Sequence, residues 1–217
     1  MDSLAADRRP RKRNTANVQG EPMSKQHIYK LTAFPKDISL RDGTKITFRP
    51  MVAADEQELI AFFKRVPAED RYYLKEDVTS PSVIKKWIQE LDYDRALPIL
   101  AWAGGRVVGD GTLHRTRASA RRHVAEIRII VDAIYRQKGL GTLLLHELAG
   151  VANANGIERV KIEAVAEKED QAIKAAEYVG FVRVGLLPGH AKDMDGRLRD
   201  VVILEMPMGK WFEWWQF

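Results

Sequence analysis

A short basic and glycine-rich segment at residues 136–141, Arg-Gln-Lys-Gly-Leu-Gly, stands between two apolar segments of different periodicity. The segment before it, residues 126–131, is rich in β-branched residues and predicts a buried strand. In the segment after it, Leu144, Leu148 and Val151 recur at helical spacing. Glycines at a strand-to-helix turn let a ligand approach the backbone, and the first amides of a helix attract an anion. The pattern therefore predicts a diphosphate site, with a turn that binds nothing as the alternative.

Two other phosphate-binding motifs do not fit this segment. A Walker loop needs Gly-x-x-x-x-Gly-Lys-Ser/Thr, which the sequence lacks here. A dinucleotide-binding turn needs a third glycine or alanine, but Leu144 stands three residues after Gly141. What remains, Arg/Gln-x-x-Gly-x-Gly, resembles the acetyl-CoA motif of the GNAT superfamily of N-acetyltransferases. The order of a strand with Glu126, a loop, a helix, a strand, a helix and a Gly-Phe pair also resembles that superfamily, over residues 46–208.

The resemblance implies a mixed α+β fold, in which about four helices flank a central, mostly antiparallel sheet of six to seven strands. The periodicity predicts the same class, because early helices precede a mostly antiparallel sheet with two later crossover helices. The resemblance also implies acetyl-CoA as co-substrate and no metal. The residues expected to contact acetyl-CoA are Ile129, Ile130 and Val131 on the strand and Arg136, Gln137, Lys138, Gly139, Leu140, Gly141 and Thr142 in the loop and helix.

Glu126 is the candidate catalytic base. In the histone-type branch of the superfamily, the corresponding strand begins with the Ala-Glu-Ile found here at residues 125–127, and that glutamate is the base. Such a base is needed because a lysine-like amine, with a pKa near ~10.4, is almost entirely protonated at pH 7. Desolvation among apolar neighbours is expected to raise the pKa of Glu126 towards neutrality. Alternation along the strand equally allows an ion pair between Glu126 and Arg128 on one face of the sheet, and this alternative stays open.

The acceptor is expected to be a primary amine, and the resemblance favours a protein lysine. Many superfamily members carry a tyrosine as general acid four residues before the Gly-Phe pair, but Ala176 stands at that position. Tyr178 lies two residues further along the predicted helix and is expected to pack instead. Residues 66–73 loosely resemble the helix-linking segment of bacterial protein acetyltransferases. A small-molecule amine, amino acid or antibiotic as acceptor, and a non-catalytic acyl-CoA-binding module, are the alternatives.

Composition and charge suggest one domain with two extensions. Residues 1–40 are predicted to be a basic, disordered extension, residues 44–210 the acyltransferase domain, and residues 211–217 an aromatic tail. This tail is expected to dock on its own domain or to form a homodimer or partner contact. Residues 1–26 carry six Lys or Arg against three acidic residues, so only +2 of the net charge of +5 remains elsewhere, which makes nucleic acid an unlikely partner. With no cysteine and no long apolar run, a cytoplasmic location without a membrane partner is expected.

The segment Asp193-x-Asp195-Gly196 has the spacing that begins a calcium-binding loop. Such a loop needs a glutamate at its twelfth position, and Leu204 stands there instead. The pattern therefore predicts a hairpin turn.

Overall fold

A computed structural model describes residues 29, 31–116, 119–210 and 212 of the chain. Within that part of the chain, eight strands form one sheet, in the spatial order β1-β2-β3-β4-β5-β6-β8-β7. Neighbouring strands are antiparallel except for β5 and β6, which run parallel. The strands are β1 (Lys36–Ser39), β2 (Lys45–Pro50), β3 (Ala96–Ala103), β4 (Arg106–Arg115), β5 (Val124–Val131), β6 (Arg159–Val165), β7 (Val182–Lys192) and β8 (Leu198–Pro207).

Helices cover both faces of this sheet. They are α1 (Glu56–Arg65), α2 (Ala68–Tyr72), α3 (Pro81–Gln89), α4 (Leu140–Ala154) and α5 (Asp170–Val179). Pro81 occupies the first position of α3, where its missing N–H is not needed. The helix predicted after the glycine-rich loop is α4, which ends at Ala154 with Asn155 as its cap.

Two apolar clusters hold the layers together. The larger one joins α4 and α5 to one face of the sheet, and the smaller one joins α1 and α3 to the other. The approach of α4 is close: a Cβ at Gly111 of β4 would lie 2.8 Å from Cδ1 of Leu148. At the N-terminus of α4, a Cβ at Gly141 would lie 3.8 Å from the side chain of Val131. The packing of α4 therefore fixes its first turn beside the end of β5.

The observed architecture confirms the predicted mixed α/β class with a mostly antiparallel sheet. The sequence pattern does not predict β1, so the sheet has one strand more than the six to seven expected. Part of the segment predicted as a basic extension is ordered with the sheet: β1 pairs with β2, and Tyr29 and Leu40 are buried in the larger cluster. Residues 1–28 and 30 of that extension lie outside the described residues.

One residue of the aromatic tail belongs to the core. Phe212 is buried against α4, with its ring centroid 5.7 Å from that of His146. The docking of the tail on its own domain is thus observed for Phe212, and residues 211 and 213–217 lie outside the described residues.

The turn between β7 and β8 is the predicted hairpin. The amide of Gly196 donates to the carbonyl oxygen of Asp193 at 2.9 Å. The carboxylate of Asp193 accepts from the amides of Asp195 and Arg197 and from the guanidinium of Arg199. This carboxylate therefore stabilises the turn from inside.

Candidate active site

The sheet opens between β5 and β6. These two strands are paired over three residues, ending at Glu126 opposite Lys161. Beyond that pair, β5 continues beside β4 as far as Val131, while β6 continues beside β8 as far as Val165. The two strands therefore form a V-shaped opening whose apex is the pair of Glu126 and Lys161.

The backbone of β5 presents hydrogen-bonding groups to this opening. Just past β5, Asp132 donates its N–H to the carbonyl oxygen of Val108, at the end of the ladder with β4. Because ladder bonds alternate along an antiparallel strand, even-numbered residues of β5 bond β4 and odd-numbered residues point towards β6. Past the apex, Ile129 and Val131 consequently direct their backbone groups into the opening. The Nε of Arg136 donates to the carbonyl oxygen of Val131 at 3.2 Å.

The glycine-rich loop forms the wide end of the opening. Gln137 and Gly139 both have positive φ, 58° and 92°, and α4 begins directly after Gly139. None of the amides of residues 137–142 donates to an acceptor among the described residues. These amides therefore form an anion-binding surface at the N-terminus of a fifteen-residue helix.

The two cations of the loop are paired with carboxylates from other elements. Arg136 Nη2 lies 2.7 Å from Oδ2 of Asp70 in α2. Lys138 Nζ lies 3.0 Å from Oδ2 of Asp42 in the β1–β2 turn. Hydrogen bonds from Thr44, and then the one from Lys138, lower the pKa of Asp42. All four charged side chains are partly exposed. An anion bound at the loop can therefore replace the two carboxylates as the partner of Arg136 and Lys138.

Glu126 is held by three cations. Its carboxylate lies 2.7 Å from Nε of Arg128 and 3.1 Å from Nζ of both Lys75 and Lys161. Burial acts to raise the pKa of Glu126, but the hydrogen bond and charge of Arg128, followed by the hydrogen bonds of the two lysines, lower it to about 2. The expected rise of this pKa towards neutrality is therefore wrong, and the alternative ion pair with Arg128 is present.

Lys75 lies across the apex of the opening. Its Nζ is 3.1 Å from Oε1 of Glu126 on β5 and 3.7 Å from Oε2 of Glu163 on β6. Lys161 contacts the same two carboxylates, at 3.1 and 2.6 Å. Lys75, Lys161 and Glu163 come from a turn and from a different strand, so no periodic pattern around Glu126 predicts them.

A cavity of about 800 Å³ adjoins Glu126 at the N-terminal end of β5. Its carboxylates, Glu126 and Glu205, are already paired, Glu205 with Arg159 at 3.4 Å. The cationic side chains that line it are Arg95, Arg115, Arg121 and Lys161. None of these three arginines has a carboxylate within ion-pair distance among the residues that the structure describes. The cavity is therefore suited to an anionic group.

Two titratable residues on β4 share the sheet face of Glu126. His114 stands opposite Glu126 in the ladder. Burial, and then the charge of Arg128, lower the pKa of His114 to about 4, so this side chain is neutral at pH 7. Burial raises the pKa of Asp110 to about 6, against the hydrogen bond from Thr112 at 3.0 Å. The alternation along β4 indicates that Asp110 and His114 lie on one face of that strand. It does not indicate that they lie near Glu126, because that depends on the register between β4 and β5.

The α5 positions confirm that this chain departs from the tyrosine pattern. Ala176 is fully buried, whereas Tyr178 is 57% exposed. Glu169, the residue before α5, accepts from the amide of Val165 at the end of β6 at 2.6 Å. In the described part of the chain, no group of three His, Asp or Glu side chains could hold a metal ion.

The site combines an open strand edge, a loop whose amides can bind an anion, and a carboxylate at the end of that edge. The acetyltransferase (GNAT) family matches residues 63–181, which is more than half of the 217 residues. The chain therefore belongs to the acetyltransferase (GNAT) family.

Individual relatives are more distant. YwnH of Bacillus subtilis strain 168, which bears the name of a phosphinothricin acetyltransferase, is 36% identical over 85 residues. That match spans 39% of this chain and about half, 51%, of YwnH. A GNAT-family acetyltransferase from Streptococcus pneumoniae has a similar structure, with a TM-score of 0.67 and 23% identity over 75% of this chain and 99% of its own. A phosphinothricin acetyltransferase from Sinorhizobium meliloti, solved in complex with acetyl-CoA, has a TM-score of 0.65 and 22% identity over 76% and 89% of the two chains.

Across the described residues, no helix combines the length and the apolar character needed to cross a bilayer.

Proposed function

We propose that this protein transfers an acetyl group from acetyl-CoA to a primary amine. The observation that carries the proposal is the V-shaped opening, which runs from the free amides of residues 137–142 along β5 to Glu126. Membership of the acetyltransferase (GNAT) family supports it. The Sinorhizobium meliloti relative binds acetyl-CoA, and the residues here fit the same ligand, because a diphosphate needs the unpaired amides that this loop offers.

Each part of acetyl-CoA has a matching group in the opening. The diphosphate is bound by the amides of residues 137–142, and Arg136 and Lys138 exchange their carboxylate partners for it. The amide-containing arm lies beside β5 and pairs with the backbone of Ile129 and Val131, as an added strand would. Ile130 points its side chain to the opposite face from these two residues. A backbone N–H of this edge also polarises the thioester carbonyl.

Glu126 is proposed to accept the proton of the acceptor amine, directly or through one water molecule. With a pKa of about 2 in the free protein it is fully ionised but weakly basic. An acceptor that displaces Lys75, together with a donor that excludes water, removes a cation and a hydrogen bond from Glu126. Both changes raise its pKa and make proton transfer easier.

The acceptor is proposed to be a small amine that carries an anionic group. The cavity beside Glu126 presents Arg95, Arg115 and Arg121 without carboxylate partners in the described structure. Glu126 already has three cationic neighbours, so the site has no need of an acceptor whose only charge is positive. The relatives named for phosphinothricin support a small-molecule acceptor. A protein lysine among acidic residues would satisfy the same cations, and it remains the second candidate.

Thiol release from acetyl-CoA tests these assignments. The acceptors are charge-matched pairs, an amino acid with its amide and an aminoalkylphosphonate with the corresponding aminoalkane, beside lysine peptides of acidic and neutral sequence. We expect kcat/KM to be at least about tenfold higher for the anionic member, a difference of about 1.4 kcal/mol. Arg121→Gln should lower kcat/KM for the anionic member alone. Glu126→Gln should lower kcat about 10²- to 10⁴-fold.

Three outcomes would change the conclusion. Tight CoA binding without turnover of any amine would favour a non-catalytic acyl-CoA-binding module. Turnover confined to lysine peptides would favour the protein acceptor. A heat of binding near zero for CoA in calorimetry would remove the basis of the proposal.

A further inference from the structure

We propose that Lys75 is acetylated by the protein's own active site, with acetyl-CoA as the donor. This inference rests on the proposed function, because it needs acetyl-CoA in the opening between β5 and β6. It assigns a modification site to a residue outside the predicted catalytic set.

The position of the ε-amine carries the inference. Nζ of Lys75 lies between carboxylates of both strands, 3.1 Å from Glu126 and 3.7 Å from Glu163. Glu126 is the last β5 residue paired with β6, and Glu163 lies two residues beyond the apex on β6. A primary amine therefore already lies beside the proposed base, above the point where the strands separate. The acceptor nitrogen of any substrate must reach the same place.

Leu74 and Val78 attach the segment that carries Lys75 to the smaller apolar cluster. Lys75 follows α2, a five-residue helix without a buried residue, and its own side chain is 53% exposed. Polar contacts hold this helix, including Arg136 to Asp70 at 2.7 Å and the Tyr72 hydroxyl to the carbonyl oxygen of Asp193 at 3.3 Å. A diphosphate that takes Arg136 removes the first of these contacts. The exposed side chain of Lys75 can therefore move towards a donor without breaking the packing of Leu74 and Val78.

Lys161 offers a comparison within the same cluster. Its Nζ also contacts Glu126 and Glu163, but its backbone lies inside the ladder between β6 and β8, and its side chain is 30% exposed. Burial acts to lower the pKa of Lys161, but its hydrogen bonds to Glu163 and Glu126 outweigh this and raise the pKa. Lys161 therefore retains its proton, and its backbone is fixed in the sheet. Of the two lysines, Lys75 is the proposed nucleophile.

The transfer balances without a further reagent. The ammonium of Lys75 first loses a proton to Glu126, directly or through one water molecule. The neutral amine then attacks the thioester carbonyl, so that a C–N bond forms and the C–S bond breaks. CoA leaves as the thiol, since its sulfur takes up the second proton lost by the nitrogen. Acetylation also removes the charge of Lys75, and Glu126 loses one of its three cationic partners.

Isotope labelling tests the proposal on the full-length protein. The protein is incubated with acetyl-CoA that carries a ¹³C-labelled acetyl group, digested with a protease that cleaves after glutamate, and analysed by mass spectrometry over time. Lys85 and Lys86, exposed on α3, report the uncatalysed rate. We expect Lys75 to be labelled at least about 100-fold faster than these two, because proximity raises the effective concentration of its amine. The rate should not depend on protein concentration, and a good free amine acceptor should lower it.

The comparison of Lys75 with Lys85 and Lys86 is made within the wild-type protein. A variant provides a second, independent test. Glu126→Gln should bring labelling of Lys75 down to the rate of Lys85 and Lys86, while leaving those two rates unchanged. Labelling of Lys75 no faster than that of the two control lysines would overturn the proposal. So would an unchanged rate at Lys75 in the Glu126→Gln variant.

Thiol release with free amines separates this inference from the proposed function. Both the wild type and Lys75→Arg, which keeps a cation but lacks the primary amine, are assayed. Turnover of a free amine without selective labelling of Lys75 overturns self-acetylation alone. Absence of both turnover and labelling overturns the proposed function and the inference together.

Discussion

Replacing Glu126 by glutamine should change how the stability of the protein depends on pH. In the wild type, the surrounding cations lower the pKa of Glu126 from 4.5 to about 2. A carboxylate whose pKa falls on folding stabilises the folded state above its unfolded pKa, and this contribution is lost as the pH falls through the folded value. The relevant window therefore runs from pH 4.5 down to about 2. Glutamine cannot titrate, so the variant lacks this pH-dependent contribution to the free energy of unfolding.

The size of the effect follows from the same two values. The lowering of the pKa from 4.5 to about 2 corresponds to about 3.4 kcal/mol, of which about 2 kcal/mol would be lost by pH 3. Lys75 and Arg128 are 53% and 37% exposed, so solvent screens their attraction for Glu126. Screening reduces the expected loss to about 1 kcal/mol.

Urea unfolding at pH 7 and pH 3 measures this quantity. Between these two pH values, the wild type should lose about 1 kcal/mol more free energy of unfolding than Glu126→Gln. Other carboxylates are common to both proteins, so their contributions cancel. Glu90, an exposed residue at the end of α3, provides the matched control, and Glu90→Gln should follow the wild type. Equal losses in the wild type and in Glu126→Gln would refute the argument that the cation cluster holds this carboxylate.

Three further substitutions test the site and the packing beneath it. Gly139→Val places a branched side chain at a φ of 92°, which strains the loop backbone by about 1–2 kcal/mol. CoA binding measured by calorimetry should become about tenfold weaker, and an unchanged Kd would contradict an amide-lined site. Asp70→Asn frees Arg136 and should tighten CoA binding by up to about fivefold, with less effect at high salt. Gly111→Val places a Cβ 2.8 Å from Leu148 and should therefore lower the free energy of unfolding by about 1–3 kcal/mol. A urea midpoint equal to that of the wild type would contradict the close packing of α4.

The loop at residues 136–141 could be predicted from sequence because its properties are local. Its glycines, its position between a strand pattern and a helix pattern, and the free amides of a helix start all follow from adjacent residues. The same holds for the hairpin turn at Asp193. In contrast, β1 consists of Lys-Asp-Ile-Ser at the edge of the sheet, a pattern without alternation, and it becomes a strand through its pairing with β2.

The electrostatic state of Glu126 depends on contacts that the sequence does not place. The alternation of β5 shows that Arg128 shares its face, so one of the three cations was foreseeable. Lys75 is 51 residues away along the chain and Lys161 belongs to another strand. Apolar neighbours in the sequence therefore suggested a raised pKa, whereas these distant charges determine the lowered one. The sequence does not indicate that Asp110 and His114 lie near Glu126 for the same reason, because the register between β4 and β5 determines their neighbours.

In the described part of the chain, three residue pairs join β5 to β6, so the sheet has two parts, β1 to β5 and β6 to β8, that meet at a short seam. A ligand with amides of its own, laid along the free edge, would act as a ninth strand and lengthen that seam. Occupancy of the site should then slow hydrogen exchange at the backbone amides of Ile129 and Val131, and tie the two half-sheets into one unit that unfolds together.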